Sequence, residues 1–225
     1  MKKTFLALFF LVSVGELASQ FMTDGSTVHH ICKPLIMVTL AIVYGVSVAR
    51  ENRSLSVLLA MVFSFLGDSF LMYQDKNGMY FMLGLGAFLV SHIFYIFTYR
   101  QHQWEATGDE LQGIQKIRLS FPIILAGSGL VVILYPTLGD LKVPVVLYAL
   151  VLVLMVLHAL FRYGRTSSAS FWMVFAGALL FMISDSLIAI NKFFAPVAYE
   201  GLWIMTTYIT AQYLIVTGLI NHDKK

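Results

Sequence analysis

A polytopic, all-α membrane protein of about eight transmembrane helices is the fold class this sequence predicts. Three observations predict it. First, 59% of the 225 residues are hydrophobic and only 12% are charged, against about 25% charged in an ordinary soluble domain. A single core of this length cannot hide so much apolar surface, because the buried fraction rises slowly with size. Second, the apolar residues form continuous runs near the ~20 residues that cross a ~30 Å hydrocarbon layer, and lack the alternating ten-residue segments of a barrel. Backbone groups in lipid must pair internally, so such runs are helices. Third, lysine and arginine gather on alternate loops.

The spans follow in order: Thr4 to Met22, Ile31 to Ala49, Leu55 to Tyr73, Tyr80 to Tyr99, Leu119 to Tyr135, Val143 to Phe161, Phe171 to Ile190 and Leu202 to Ile220. Pro34 falls in the first turn of the second span, where a missing N–H costs nothing. Turn chemistry separates the spans: Asp24-Gly25-Ser26, Lys76-Asn77-Gly78, Pro136 to Lys142 and Ala195-Pro196. The longest connection, Gln101 to Lys116, holds most of the acidic residues outside the spans. The chain reads as one transmembrane domain, with a first half of about 1–100 and a second of about 117–225, linked by a cytoplasmic loop at 101–116.

With the N-terminus in the cytoplasm, the cytoplasmic segments hold Lys2, Lys3, Arg50, Arg53, Arg100, Lys116, Arg118, Arg162, Arg165, Lys224 and Lys225. The opposite side holds Lys33, Lys76, Lys142 and Lys192. This bias places both termini in the cytoplasm, and the expected location is a bacterial inner membrane. Residues Met1 to Gln20 also carry the marks of a signal peptide, whose cleavage would leave seven spans. Glu16 at that depth argues against it. The one cysteine, Cys32, excludes an intramolecular disulfide and a cysteine-based metal site.

An internal echo runs through the chain. Gly67-Asp68-Ser69-Phe70-Leu71 lies late in the third span, and Ser184-Asp185-Ser186-Leu187-Ile188 late in the seventh. Lys33-Pro34 opens the second span, and Lys142-Val143-Pro144 opens the sixth. Four spans separate the copies, so the repeat predicted is parallel, four plus four.

Ionisable groups at membrane depth cost about 2.5–3.5 kcal/mol on insertion scales and mark functional sites. Asp68 and Asp185 lead, at similar expected depth and facing each other. Two poorly solvated carboxylates titrate as a unit, one holding a proton, which supplies an acid and a base together. The structural alternative is that each bonds a serine or tyrosine and locks helices. Glu16 shares a face with Ser13 and Gln20, and is either a third carboxylate or the partner of Lys33. Lys33 suits a phosphate, with His29 and His30 as further donors, or is a snorkelling interfacial lysine. Tyr44 follows it on the same face through Met37 and Leu40.

His92 lies near mid-span, with Gly84, Phe88, Ser91, Tyr95 and Tyr99 continuing its face. Tyr208 and Gln212, four apart, share a face of the last span. These side chains either line a polar cavity or bond between helices. His158 and His222, near helix ends, read as interfacial, and Trp203 and Tyr199 as belt residues. Asp24, His29 and His30 lack the further ligands a catalytic metal needs, so no metal is expected. The sequence holds neither a phosphate-loop lysine motif nor a nucleophile elbow.

Together these residues resemble the YhhN-type membrane proteins, which include the lysoplasmalogenases. The resemblance rests on Lys33-Pro34, Gly67-Asp68 with Leu71, Ser91-His92 with Tyr95, Gly177-Ala178 through Phe181 to Ser184-Asp185, and Tyr208 with Ala211-Gln212 and Leu214-Ile215. Ile209 departs from the aromatic expected there. The resemblance implies hydrolysis of the vinyl-ether bond of lysoplasmalogen to a fatty aldehyde and glycerophospho-ethanolamine or -choline. It implies Asp68 and Asp185 as catalytic carboxylates, with Lys33, His92, Tyr95, Tyr208 and Gln212 around the substrate; Glu16 and Tyr44 join this substrate-binding set from their helical positions alone. The implied partners are a lysophospholipid and the bilayer, with no nucleic acid and no cofactor. The competing class is a proton- or cation-coupled small-molecule transporter using the same aspartates, and a third reading is a membrane protein with the aspartates as helix glue.

Overall fold

The computed structural model describes residues 2–22, 26–106 and 108–222. The turn residues Asp24-Gly25 and the terminal Lys224 and Lys225 lie outside the described residues. Among the described residues eight α-helices form: α1 (Lys2–Ser19), α2 (Ser26–Ser47), α3 (Leu55–Leu71), α4 (Gly78–Gln101), α5 (Gly113–Leu134), α6 (Lys142–Leu160), α7 (Ser168–Phe193) and α8 (Glu200–His222). Six of them are long and apolar enough to cross a membrane. The other two fall short for identifiable reasons. The 18 residues of α1 include Lys2, Lys3 and Glu16. The 17 residues of α3 rise only about 26 Å, because the chain leaves the helix after Leu71 into the turns before Gly78. The apolar runs thus place all eight helices, while α5 starts six residues earlier than its hydropathy indicates.

The chain forms two compact units, one ending at Thr98 and one beginning at Tyr99. In the first unit, α1 buries a single stripe of Phe9, Val12, Ser13, Glu16 and Ser19. The opposite face leaves Leu11 at 70% and Val14 at 65% exposure, which suits lipid and not water. α2 buries Ile36, Met37, Leu40, Val43 and Tyr44. It begins at Ser26, five residues before the expected start of the span, so Pro34 sits well inside it and not in its first turn. There the proline removes the N–H that would bond the carbonyl of His30. Contacts of Glu16 with His29 and of His30 with Tyr73 fix the added turn.

α3 buries Ser56, Val57, Ala60, Met61, Ser64, Gly67 and Asp68, a stripe at helical spacing. Small residues bring α4 close to it. A Cβ on Gly67 would stand 2.6 Å from the Phe88 ring, and one on Gly84 would stand 2.7 Å from Leu71. Serine and threonine hydroxyls seal this seam: Ser64 to Ser91 at 2.8 Å, Ser91 to the Ala60 carbonyl at 2.8 Å, and Thr98 to Ser56 at 2.9 Å.

In the second unit, α7 and α8 form the tightest pair. A Cβ on Gly177 would meet the Ala211 carbonyl oxygen at 2.8 Å, and one on Gly218 would meet Val174 at 2.8 Å. α5 is the most exposed helix, with Ile114 at 82% and Val132 at 71%. The α6–α7 connection is tied to the loop after α4. The Trp104 N–H donates to the Arg165 carbonyl at 2.7 Å, and Arg165 Nε returns a bond to the Trp104 carbonyl at 3.2 Å. Arg162, counted from sequence as an ordinary loop cation, is fully buried. It donates to the His102 carbonyl at 3.1 Å and to Ser170 at 2.9 Å. His222 is likewise not merely interfacial: its Nδ1 lies 2.7 Å from the Thr166 hydroxyl and its ring packs on His102 and Trp104.

Candidate functional site

In the first unit the polar groups gather at the end where α1 finishes and α2 begins. Inter-helix contacts set their level. Gly15 of α1 lies against Cys32, and Glu16 meets His29. On α2 and α3, His30 packs on Tyr73 with ring centroids 5.7 Å apart. Met37 and Val38 share a groove with Met61, Val62 and Phe65. Between those fixed points Lys33 and Asp68 fall within about one helical turn of each other along the axis. Glu16, His29, Lys33 and Asp68 therefore share one level. Asp68 is 2% exposed, on the helix face that Gly67 presses against Phe88.

Glu16 is completely buried, and the partner the structure gives it is His29, not Lys33. His29 Nδ1 lies 2.8 Å from Oε1 of Glu16, and Gln20 Nε2 donates to the same oxygen at 3.3 Å. Among the described residues Oε2 has no hydrogen-bond partner. Ser13, expected to extend this polar face, instead bonds back to the Phe9 carbonyl of its own helix.

His92 and Tyr95 lie deeper. Both are completely buried, with the His92 ring stacked on Phe88 at 6.5 Å. The neighbouring Ser91 bonds Ser64, which also serves the Tyr95 hydroxyl. Tyr44 is at the far end of α2. Its hydroxyl accepts the Ser54 N–H at 2.9 Å, at the start of α3. Eleven residues of helix, about 16 Å, separate it from Lys33. It closes the α2–α3 turn, and Arg53 helps by donating to the Val48 and Gly45 carbonyls.

In the second unit Asp185 lies on the buried face of α7, 8% exposed, and the Tyr148 hydroxyl of α6 donates to its Oδ2 at 2.6 Å. Ser184 bonds the Ile204 carbonyl of α8 at 3.1 Å, fixing the α7–α8 register beside the aspartate. Tyr208 is one turn further in, edge-on to Phe181 at 5.5 Å. Gln212 is completely buried and approaches the Tyr208 hydroxyl at 3.5 Å, a long contact. Among the described residues no group of three or more His, Cys, Asp and Glu is placed to hold a metal ion.

Sequence reasoning missed Tyr148 and the pairing of His29 with Glu16. A tyrosine in an apolar span is a weak signal, but Tyr148 stands four residues after Pro144, where a helix begins, and so shares a level with the end of α7.

The model of the YhhN family matches residues 28–219. The chain belongs to the YhhN family. The matched stretch takes in His29, Lys33, Asp68, His92, Tyr148, Asp185 and Gln212, and leaves Glu16 outside it. Among relatives, the chain is 32% identical to lysoplasmalogenase TMEM86A of Homo sapiens over 84% of this chain and 76% of that protein. It is 31% identical to human lysoplasmalogenase TMEM86B over 72% of this chain and 62% of that one. A lysoplasmalogenase of Mycobacterium tuberculosis is 28% identical over 85% and 72%. No solved structure matches the chain. Family membership and six apolar helices of spanning length make it an integral, multi-pass membrane protein.

Proposed function

We propose that this YhhN-family protein is a membrane lysoplasmalogenase, cleaving the vinyl-ether bond of a lysoplasmalogen to a fatty aldehyde and a glycerophospho-ethanolamine or -choline. Three relatives bear that name across most of this chain. The observation in the molecule that carries the reading is Asp185, a carboxylate almost wholly removed from solvent and held at 2.6 Å by the Tyr148 hydroxyl. A buried carboxylate of fixed orientation suits a reaction whose intermediate is a cation.

The chemistry assigns roles. An acid gives its proton to the vinyl carbon β to the ether oxygen, leaving an oxocarbenium ion. Water adds to the cationic carbon and releases a proton to a carboxylate. The hemiacetal then collapses as its hydroxyl loses a proton, the C–O bond breaks and the leaving oxygen is protonated. We assign the cation-stabilising carboxylate to Asp185, whose orientation the Tyr148 hydroxyl fixes. Asp68 is then the proton donor. Lys33 holds the lipid phosphate at headgroup level, and Tyr208 and Gln212 orient the ether oxygen. The lysine and arginine distribution supports cytoplasmic termini, and so places Lys33 towards the opposite face, in what we take to be a bacterial inner membrane. The chain acts as one transmembrane domain.

The test is aldehyde release from lysoplasmalogen by purified wild type, Asp68→Asn and Asp185→Asn, beside an ordinary lysophospholipid lacking the vinyl ether. Wild type releases aldehyde from the first lipid only, and both variants are folded and inactive. A folded wild type that releases none would overturn the reading.

A further inference from the structure

Lys33 is a single cation, and one ammonium fixes neither the position nor the rotation of a phosphodiester. The structure places a second donor beside it. His29 stands four residues before Lys33 on α2, on the same helix face. Its Nδ1 is engaged by Glu16 at 2.8 Å, which leaves Nε2 as its other polar atom. Three-quarters of the His29 side chain is buried and one quarter is open, whereas Glu16 is completely enclosed. The carboxylate is therefore out of reach of a ligand, and the imidazole it holds is within reach.

Aromatic rings and a second lysine lie nearby, with Asp75 in the same turn. His30 and Tyr80 pack on Tyr73 with ring centroids 5.7 and 5.9 Å away, and Lys76 lies over the Tyr73 ring at 4.7 Å. Asp68, at the same level, is a group the reaction needs, so the phosphate belongs on the α1–α2 side of it. Among the described residues one oxygen of the buried Glu16 is unpartnered, and such burial is costly. A carboxylate that fixes the ring of an accessible histidine, and so aims its second nitrogen, has a use for the cost.

We propose that His29 and Lys33 together clamp the phosphodiester of the substrate, with Glu16 as the positioning residue that aims His29. The clamp sets preference for phosphate-bearing alkenyl lipids over alkenylglycerols that lack the phosphate. This rests on the lysoplasmalogenase reading and assigns Glu16 a role without direct contact with substrate.

The experiment compares kcat/KM for a lysoplasmalogen and for the matching 1-alkenylglycerol, using the full chain in detergent. The readout is the ratio of the two values, measured on one sample, so partial loss of folded protein cancels. In wild type the phosphate-bearing lipid is preferred. His29→Ala lowers the preference about tenfold through KM, the worth of one charge-assisted hydrogen bond. Lys33→Ala does the same. Glu16→Ala lowers it by a similar factor, and Glu16→Gln, which can still accept from the ring, recovers most of it. His29→Asn, which keeps a side-chain N–H, is the second variant should the alanine protein fail to fold. Equal losses on both lipids, or an unchanged ratio in the histidine variants, would overturn the clamp while leaving the hydrolase intact. A wild type that releases aldehyde from neither lipid removes the hydrolase reading itself.

Discussion

Asp68 in the first unit and Asp185 in the second lie late in α3 and α7 with serine after them, yet the helices beside them are built differently. Ser69 and Ser186 behave alike, each bonding the carbonyl four residues back, at 2.8 and 2.7 Å. The surroundings then diverge. Asp185 receives a tyrosine hydroxyl from α6. On α2, the position four residues after Pro34 is Val38, and the adjacent Thr39 turns back to its own helix at 2.8 Å. The prolines differ in the same way. Pro144 is in the first turn of α6, whereas Pro34 lies inside α2, because α2 runs back to Ser26. That extension carries His29 and its pairing with Glu16. One unit thus builds its polar end from a tyrosine donor, and the other from a histidine–carboxylate pair. Matching sequence at the aspartates fixes the local helix, while the neighbours decide what each carboxylate meets.

The comparison can be broken most forcefully at the aspartates. Asp68→Asn and Asp185→Asn each lower kcat for aldehyde release by about 10³-fold, within the range for acid–base groups. If one is tolerated, the units are not both part of the chemistry. Tyr148→Phe strips Asp185 of its donor and lowers kcat by about ten- to a hundredfold, the scale of one bond to a charged group. The same measurement with Thr39→Val, at the nearest equivalent place in the first unit, shows less than a twofold change.

Two stability tests sharpen the packing side. Gly177→Ala forces a Cβ onto the backbone of α8, at 2.8 Å from Ala211 O and 3.0 Å from Ile215 N. Gly67→Ala brings its Cβ to 2.6 Å from the Phe88 ring, a side chain and not backbone. Thermal unfolding in detergent shows about 2–3 kcal/mol lost for Gly177→Ala and about 1–2 for Gly67→Ala. The smallest effect is at Tyr44. Tyr44→Phe leaves the Ser54 N–H without its acceptor and lowers stability by about 1 kcal/mol. A loss confined to KM would instead return Tyr44 to the substrate.

Much of this was legible in the sequence because lipid makes single residues conspicuous. A carboxylate inside an apolar run, as at Asp68 or Asp185, has no ordinary reason to be there, and eight apolar runs yield eight helices. Helix starts were less legible: mixed stretches such as Ser26 to His30 and Gly113 to Arg118 extend α2 and α5 without a clear hydropathy signal. Partners were the least legible. Lys33 and Tyr44 share a helix face, yet they serve opposite ends of it.

Residue order alone is enough to establish a helical membrane protein, the positions of its spans and the carboxylates that are expensive, since those follow from transfer free energies summed along the chain. Helix packing in three dimensions is what pairs Glu16 with His29, brings Tyr148 to Asp185 and encloses Arg162. Each depends on the axial register between helices. That register is set by a few close approaches, such as Gly15 on Cys32 and the Ser184 hydroxyl on the Ile204 carbonyl, to which composition and periodicity are blind.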